Sequence, residues 1–372
     1  TVVPGEVLRL TRDSSRKNPP RVMLSTTESL NRQLSSPVNL SAFGVVHKGL
    51  RTVLLDEIHT YEGTTGAQNA YLLRRLREAL GYEPLWAGLS ATLTEPAEFF
   101  GRLVNLETDR VLVVEPDASE LEESGAEYLV ALRHNPYGNT GTLSTTIQTA
   151  MALSRALDPM RGDPFDPPID SGGVFGNRMF AFADKMDTTN RLYWDLLDAE
   201  GWAWPGAVKR GVTPLTLAHL RSGSQARLPL THRESPIARD QDGQYWWLSE
   251  HLGHGLDGDV QKYVGRTSSQ DSGVSAEADV VVATASLEVG FDDDRVGAVL
   301  QHKAPHDVAQ FLQRKGRAGR NAATRPWTVV VLSGWGRDRE AWDAYDALFS
   351  PVVPPRFLPL DNLYVLRIQA VY

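Results

Sequence analysis

Along residues 1–112, short apolar runs alternate with stretches of helical periodicity, and each run ends in polar residues. RVMLSTT (21–27) closes on hydroxyl side chains, RTVLLDE (51–57) on carboxylates and LWAGLSATL (85–93) on small polar groups. Between the last two, AQNAYLLRRLREAL (67–80) spaces Ala70, Leu73, Leu76 and Leu80 by three and four, which predicts a helix with one buried face. Strand, helix, strand with polar strand ends is the parallel α/β pattern, in which ligands bind beyond the carboxyl ends of the strands.

Residues 113–172 are less regular: ASELEESGAEYLVAL is acidic, and RGDPFDPPIDSGG has the Pro, Gly and Asp content of a linker. A second α/β region opens with RMFAFADKMDTTNRLYWDLL (178–197) and resumes with DVVVATA, VGAVLQ and WTVVVLS. The stretch between 200 and 277 has few strand signals and reads as an insertion. The tail FSPVVPPRFLPL (349–360) is broken by prolines and is expected to pack over the surface. The organisation expected is a first lobe over 1–112, a connector over 113–172, a second lobe over 173–350 and a C-terminal extension over 351–372.

Composition narrows the class. The 372 residues suffice for two domains, and 41% hydrophobic content is ordinary for a globular chain. No uninterrupted apolar run reaches the roughly 18 residues of a membrane span, and the start lacks a signal-peptide pattern. With no cysteine, disulfides and thiolate metal or redox sites are excluded, and a cytoplasmic protein is expected. The net charge of −8 argues against a small, wholly basic nucleic-acid module but leaves room for a local basic groove.

Three clusters carry chemistry. Asp56 and Glu57 end an apolar strand; the first can hold Mg²⁺ through water and the second can polarise an attacking water, or Asp56 simply caps the next helix. Ser90, Ala91 and Thr92 end the following strand and can relay hydrogen bonds. In QRKGRAGR (313–320), Arg314, Arg317 and Arg320 are spaced by three, which on a helix puts them on one face. Guanidinium groups stabilise the charge that develops on a transferred phosphoryl. Gly316 and Gly319 would weaken a plain solvated helix by about 1 kcal/mol each, so the composition asks for a reason. Elsewhere the bland readings prevail: His251 and His254 lack a third ligand, Trp246 and Trp247 sit in a polar insertion, and Trp335 and Trp342 read as core.

DEIH, SAT, VVVATASLEVGFDDD and QRKGRAGR, in that order, resemble motifs II, III, V and VI of superfamily 2 helicases. RVMLSTTESL resembles the preceding strand-binding motif, and FAFADKMD the opening of a second RecA-like lobe. DEIHTYEGTTGAQNAYLLRRL is similar to the Lhr and MrfA-type bacterial DNA helicases, while SSQDSGV and LQHKAPHDVAQFLQRKGRAGR are similar to the DpdJ-like helicases of phage-defence and DNA-modification clusters.

The resemblance implies two RecA-like lobes with parallel sheets, the first incomplete at its N-terminus, working on ATP, Mg²⁺ and single-stranded or tailed DNA, with RNA open. It implies that Asp56 holds Mg²⁺ through water and that Glu57 activates the hydrolytic water. His59 would couple to the second lobe through Gln313, and Arg317 and Arg320 would be the fingers. Ser90, Ala91, Thr92, Gly290 and Asp292 would link hydrolysis to closure. Thr26, Thr27, Arg266, Thr267 and Thr284 would touch the nucleic-acid backbone. The pattern breaks at one place. The phosphate-cradling loop GxxxxGK[ST] is not in the sequence, although the family carries it upstream of motif II. With Thr1 in place of an initiator methionine, the expectation is a piece of a longer protein. The alternatives are a duplex translocase that does not separate strands, and a non-hydrolysing DNA-binding scaffold in a defence or modification complex.

Overall fold

A computed structural model describes residues 20–36, 49–90, 93–120, 126–135, 141–158, 171–205, 207–208, 262–267, 277–284, 293–349 and 353–371. The chain divides into two compact units, one of Thr1–Leu121 with Val353–Tyr372, the other of Glu122–Val352.

In the first unit, helix α1 (Thr27–Leu34) follows directly on RVMLST. The hydroxyl end expected to close a strand instead starts this helix, because the Thr26 side chain caps it by accepting from the Ser29 amide at 3.2 Å. Val22 and Leu24 ahead of it are 81% and 94% exposed, so no strand among the described residues buries them. Strand β1 (Thr52–Leu55), helix α2 (Gly63–Leu80), strand β2 (Leu85–Gly88) and helix α3 (Pro96–Val104) form a right-order βαβα run, with β1 and β2 parallel and Leu55 opposite Gly88. One sheet face is apolar and covered: Leu55 and Trp86 pack with Ile58, Leu73, Leu76, Leu80, Phe99 and Leu103. Ala70, Leu73, Leu76 and Leu80 are all buried, as their spacing predicts.

Gly66 shows why α2 sits so close to the preceding turn. A Cβ there would lie 2.4 Å from the Tyr61 carbonyl carbon and 2.7 Å from Leu358 Cδ2. The second neighbour belongs to the C-terminal tail, which does not lie over the surface as its prolines suggested. Leu358 is 1% exposed inside the first unit's core, because donors from that unit meet the tail's carbonyls. Arg102 Nη2 donates to Leu358 O at 2.9 Å, the Tyr71 hydroxyl to Leu360 O at 2.8 Å, and Thr94 Oγ1 to Val353 O at 2.6 Å.

The second unit opens inside the stretch expected to be a connector. Strand β3 (Tyr128–Arg133) and helix α4 (Thr142–Ala156) both form there. β3 is half-buried and pairs with one neighbour among the described residues, which is why its pattern was weak. Then come β4 (Arg178–Phe182), α5 (Met186–Ala199), the antiparallel pair β5 (Trp202–Trp204) and β6 (Ala207–Val208), β7 (Val264–Thr267), β8 (Val280–Ala283), β9 (Val296–His302), α6 (Val308–Lys315), β10 (Trp327–Leu332) and α7 (Gly336–Asp343).

Six strands make one parallel sheet in the order β3-β10-β9-β4-β8-β7. The central strands β4, β8 and β9 are buried at every residue, as parallel strands covered on both faces must be. Ile147, Met151, Leu192 and Leu196 from α4 and α5 pack on one face; Phe180, Val281, Val299 and Ala318 form the core on the other. A bidentate ion pair joins the two helices: Arg155 donates to both Glu200 oxygens at 2.7 and 2.8 Å. Because the strands are parallel, their polar ends share one edge.

Candidate functional site

In the first unit the acidic residues emerge where β1 ends. Asp56 is exposed, and its Oδ1 accepts the Glu57 amide at 3.0 Å. It does not cap the following 3₁₀ turn (Ile58–Thr60), whose cap position is Glu57, with no side-chain capping bond. Glu57 adopts φ 50° and ψ 47°, a left-handed conformation that disfavours a residue with a Cβ. The kink turns the chain so that Ile58 and His59 are both buried. Ile58 donates to Leu89 O at 3.0 Å and Leu89 to Leu55 O at 2.9 Å, so the two strand ends are stitched together.

That stitching brings three site residues into one group. His59 Nδ1 lies 3.3 Å from Glu57 Oε2 and 3.2 Å from Ser90 Oγ. The imidazole is 3% exposed, whereas Asp56 and Ser90 stand in solvent. Tyr61 sits beside them; burial, with a smaller contribution from the Asp56 charge, raises its hydroxyl above the usual phenol range. The only sequence signal for Tyr61 is its place two residues beyond His59. Gly88, at the end of β2, is pressed against the core beneath, since a Cβ there would lie 2.7 Å from Phe100 and 3.0 Å from Ile58. Ala91 and Thr92 lie outside the described residues. Thr26 and Thr27 start α1 in this unit, the first exposed and the second partly so.

In the second unit, α6 ends at Lys315, so the three arginines do not share a helical face. Gly316 closes the helix and Gly319 turns the chain at φ +73°, where a Cβ would lie 2.6 Å from Pro326. Arg314, on the helix, is 2% exposed and faces inward. Its Nη1 donates to Asp184 Oδ1 at 2.5 Å and Gln301 Oε1 at 2.8 Å, and its guanidinium stands 5.4 Å from the Phe182 ring centroid. Arg317 and Arg320 lie on the turn beyond, the first partly and the second fully exposed. Asp184 and Gln301 thus anchor the segment that carries both; a carboxylate just past an apolar strand was the signal for the first. Gln313 is partly exposed on α6.

Thr284 follows β8 at the strand-end edge and is partly exposed. Arg266 donates to Asn190 Oδ1 at 2.9 Å and lies over the Tyr193 ring, while Thr267 is 4% exposed. Gly290, Asp292, the His251–His254 pair, Trp246 and Trp247 lie outside the described residues. Trp335, expected in the core, is 72% exposed because it caps α7 at the sheet's edge. No helix among the described residues is long and apolar enough to cross a membrane.

Residues 256–322 match the helicase conserved C-terminal domain. The ATP-dependent helicase Lhr-Core of Methanocaldococcus jannaschii is 36% identical over 318 residues, covering 85% of this chain and 28% of that protein. The Lhr helicase/probable uracil glycosylase of Mycolicibacterium smegmatis is 29% identical over 303 residues, covering 81% of this chain and 17% of the relative. The chain therefore spans less than a third of the length of these curated relatives. Among solved structures, Mycobacterium smegmatis helicase Lhr bound to ssDNA and AMP-PNP superposes with a TM-score of 0.57 at 21% identity, over 99% of this chain and 39% of that one. The helicase MrfA bound to DNA and AMPPNP gives 0.53 at 16% identity, over 93% and 39%. At such identities the superpositions establish the fold, two RecA-like α/β lobes with parallel sheets. The helicase C-terminal match and the Lhr homologues make the chain similar to superfamily 2 helicases of Lhr type, and the MrfA superposition shares its fold.

Proposed function

We propose that the chain is the core of an ATP-dependent DNA helicase or translocase, with the nucleotide's acidic half-site on the first unit. The observation that carries this reading is the Glu57–His59–Ser90 group beside the exposed Asp56. An exposed carboxylate at a strand's end suits a hydrated Mg²⁺, which keeps most of its waters and takes few protein ligands. That ion, when bound with ATP, would neutralise phosphate charge. Glu57 would orient and deprotonate the attacking water, and buried His59 would hold Glu57 in place while reporting its state to Ser90. On the second unit, Arg317 and Arg320 would stabilise charge on the γ-phosphoryl, projecting from a turn fixed by Arg314. Thr92, Gly290 and Asp292 would complete the coupling set. Thr26 and Thr27 at the start of α1, with Arg266, Thr267 and Thr284 at the strand ends, would hold the backbone of the nucleic acid.

DNA is favoured because an Lhr and a MrfA structure of the same fold were both solved with DNA. A setting in phage defence or DNA modification rests on the DpdJ-like stretches alone. The test is ATP hydrolysis with and without single-stranded DNA, wild type beside Glu57→Gln. Stimulation by DNA that falls at least about a hundredfold in the variant supports the motor. A second reading is a non-hydrolysing DNA-binding scaffold. DNA binding without hydrolysis in a longer chain that carries a GxxxxGK[ST] loop would select it and sink the motor.

A further inference from the structure

An exposed tryptophan is uncommon where nothing needs it, and Trp335 is 72% exposed on a loop that is otherwise firmly built. The loop after β10 is tied to the loop after β9 by one buried carboxylate. Asp338, 5% exposed, accepts the Ala304 amide through Oδ1 at 2.9 Å and the Ser333 amide through Oδ2 at 2.8 Å. Arg337 Nη2 donates to Ala304 O at 2.7 Å, and its Nη1 contacts His306 Nδ1. The indole thus projects from a fixed base and loses little freedom when it binds. Two cations flank that base: Lys303, on the loop after β9, and Arg337, in the first turn of α7, are both exposed. Of the nearby carboxylates, Asp338 is engaged inside the loop, Asp184 with Arg314 and His306, and Asp343 with Arg339, while Glu340 is exposed on α7.

We propose that Trp335 is a base-stacking platform for single-stranded nucleic acid, flanked by Lys303 and Arg337 as phosphate contacts. An aromatic face beside cations matches a strand's alternation of π-surface and charge, and it is tolerant of sequence. Position supports the same partner. β10 and β8 lie in one parallel sheet with β9 and β4 between them, so Trp335 and Thr284 occupy the same edge about 14 Å apart along the sheet. One short strand can reach both. The inference rests on the nucleic-acid reading above and adds to it a residue that touches the bases.

The test is fluorescence anisotropy of labelled dT and rU oligomers with the full chain, comparing wild type, Trp335→Ala, Trp335→Phe and, as an exposed-indole control on α5, Trp194→Ala. Loss of the platform is expected to weaken binding roughly 5- to 100-fold. Phe is expected to keep most of the affinity, and Trp194→Ala all of it. The salt dependence should be unchanged in Trp335→Ala, because stacking releases no counterions, and shallower in Lys303→Ala and Arg337→Ala. A loss with dT, rU or both supports the platform and identifies the strand it takes. Wild-type affinity in Trp335→Ala would overturn the platform and leave the nucleic-acid reading standing. Failure of the wild type to bind either oligomer would overturn both.

Discussion

Glu57 is held at φ 50° although nothing in its side chain favours the left-handed region. Such a residue stores on the order of 1–3 kcal/mol, which the stitched strand ends and buried Ile58 and His59 must offset. The strain has a use: it points the carboxylate at His59 while Asp56 faces solvent. Glu57→Gly should therefore raise the first unit's stability by about 1 kcal/mol, read as a higher melting temperature, while abolishing any hydrolysis the chain performs. An unchanged or lower melting temperature would mean the turn is not strained. The sequence named the residues of this site but not their conformation, because a backbone angle is set by what lies on either side of it. Arg314 teaches the same lesson. Its spacing matched that of Arg317 and Arg320, yet Gly316 ends the helix between them, and only Arg314 is drawn inside.

At the scale of elements, the buried strands were legible because a parallel sheet covered on both faces demands long apolar runs, as in RMFAF and VGAVLQH. β3 and α4 were not, since an edge strand and a threonine-rich helix carry little periodic contrast. A polar contact holds α4 to the sheet: His302, on β9, places Nδ1 2.7 Å from Thr146 Oγ1. Burial, with help from the Lys303 charge, pushes its pKa down to about 4 from an ordinary value of 6.5. The unfolded chain therefore binds the extra proton first. Stability from this group is complete above pH 6.5 and is lost as pH falls toward 4, by about 3 kcal/mol in all. His302→Gln should flatten the acid limb of the second unit's melting temperature between those limits; an unaltered limb would assign the acid sensitivity to other groups.

On the scale of the whole chain, the division into two units hides an unequal dependence. The second unit is one continuous segment, whereas the first is closed only by residues 353–371. Leu358→Ala should cost the first unit about 2–5 kcal/mol and leave the second untouched, as hydrogen exchange resolved along the chain would show. Equal loss of protection in both units would mean they unfold as one. No local sequence pattern could have revealed this dependence, because the contact joins residues nearly 300 positions apart, as in the bond from Tyr71 to Leu360.

The returning tail also orders events in time. A ribosome delivers the first unit's strands and helices early and its last core residues, Leu358 and Val365, only after the entire second unit has been made. During that interval the apolar slot between Gly66 and Arg102 waits open, and the later-made unit is free to fold first. Translation pauses or chaperone capture before residue 353 should therefore endanger the earlier-made half of the chain more than the later one.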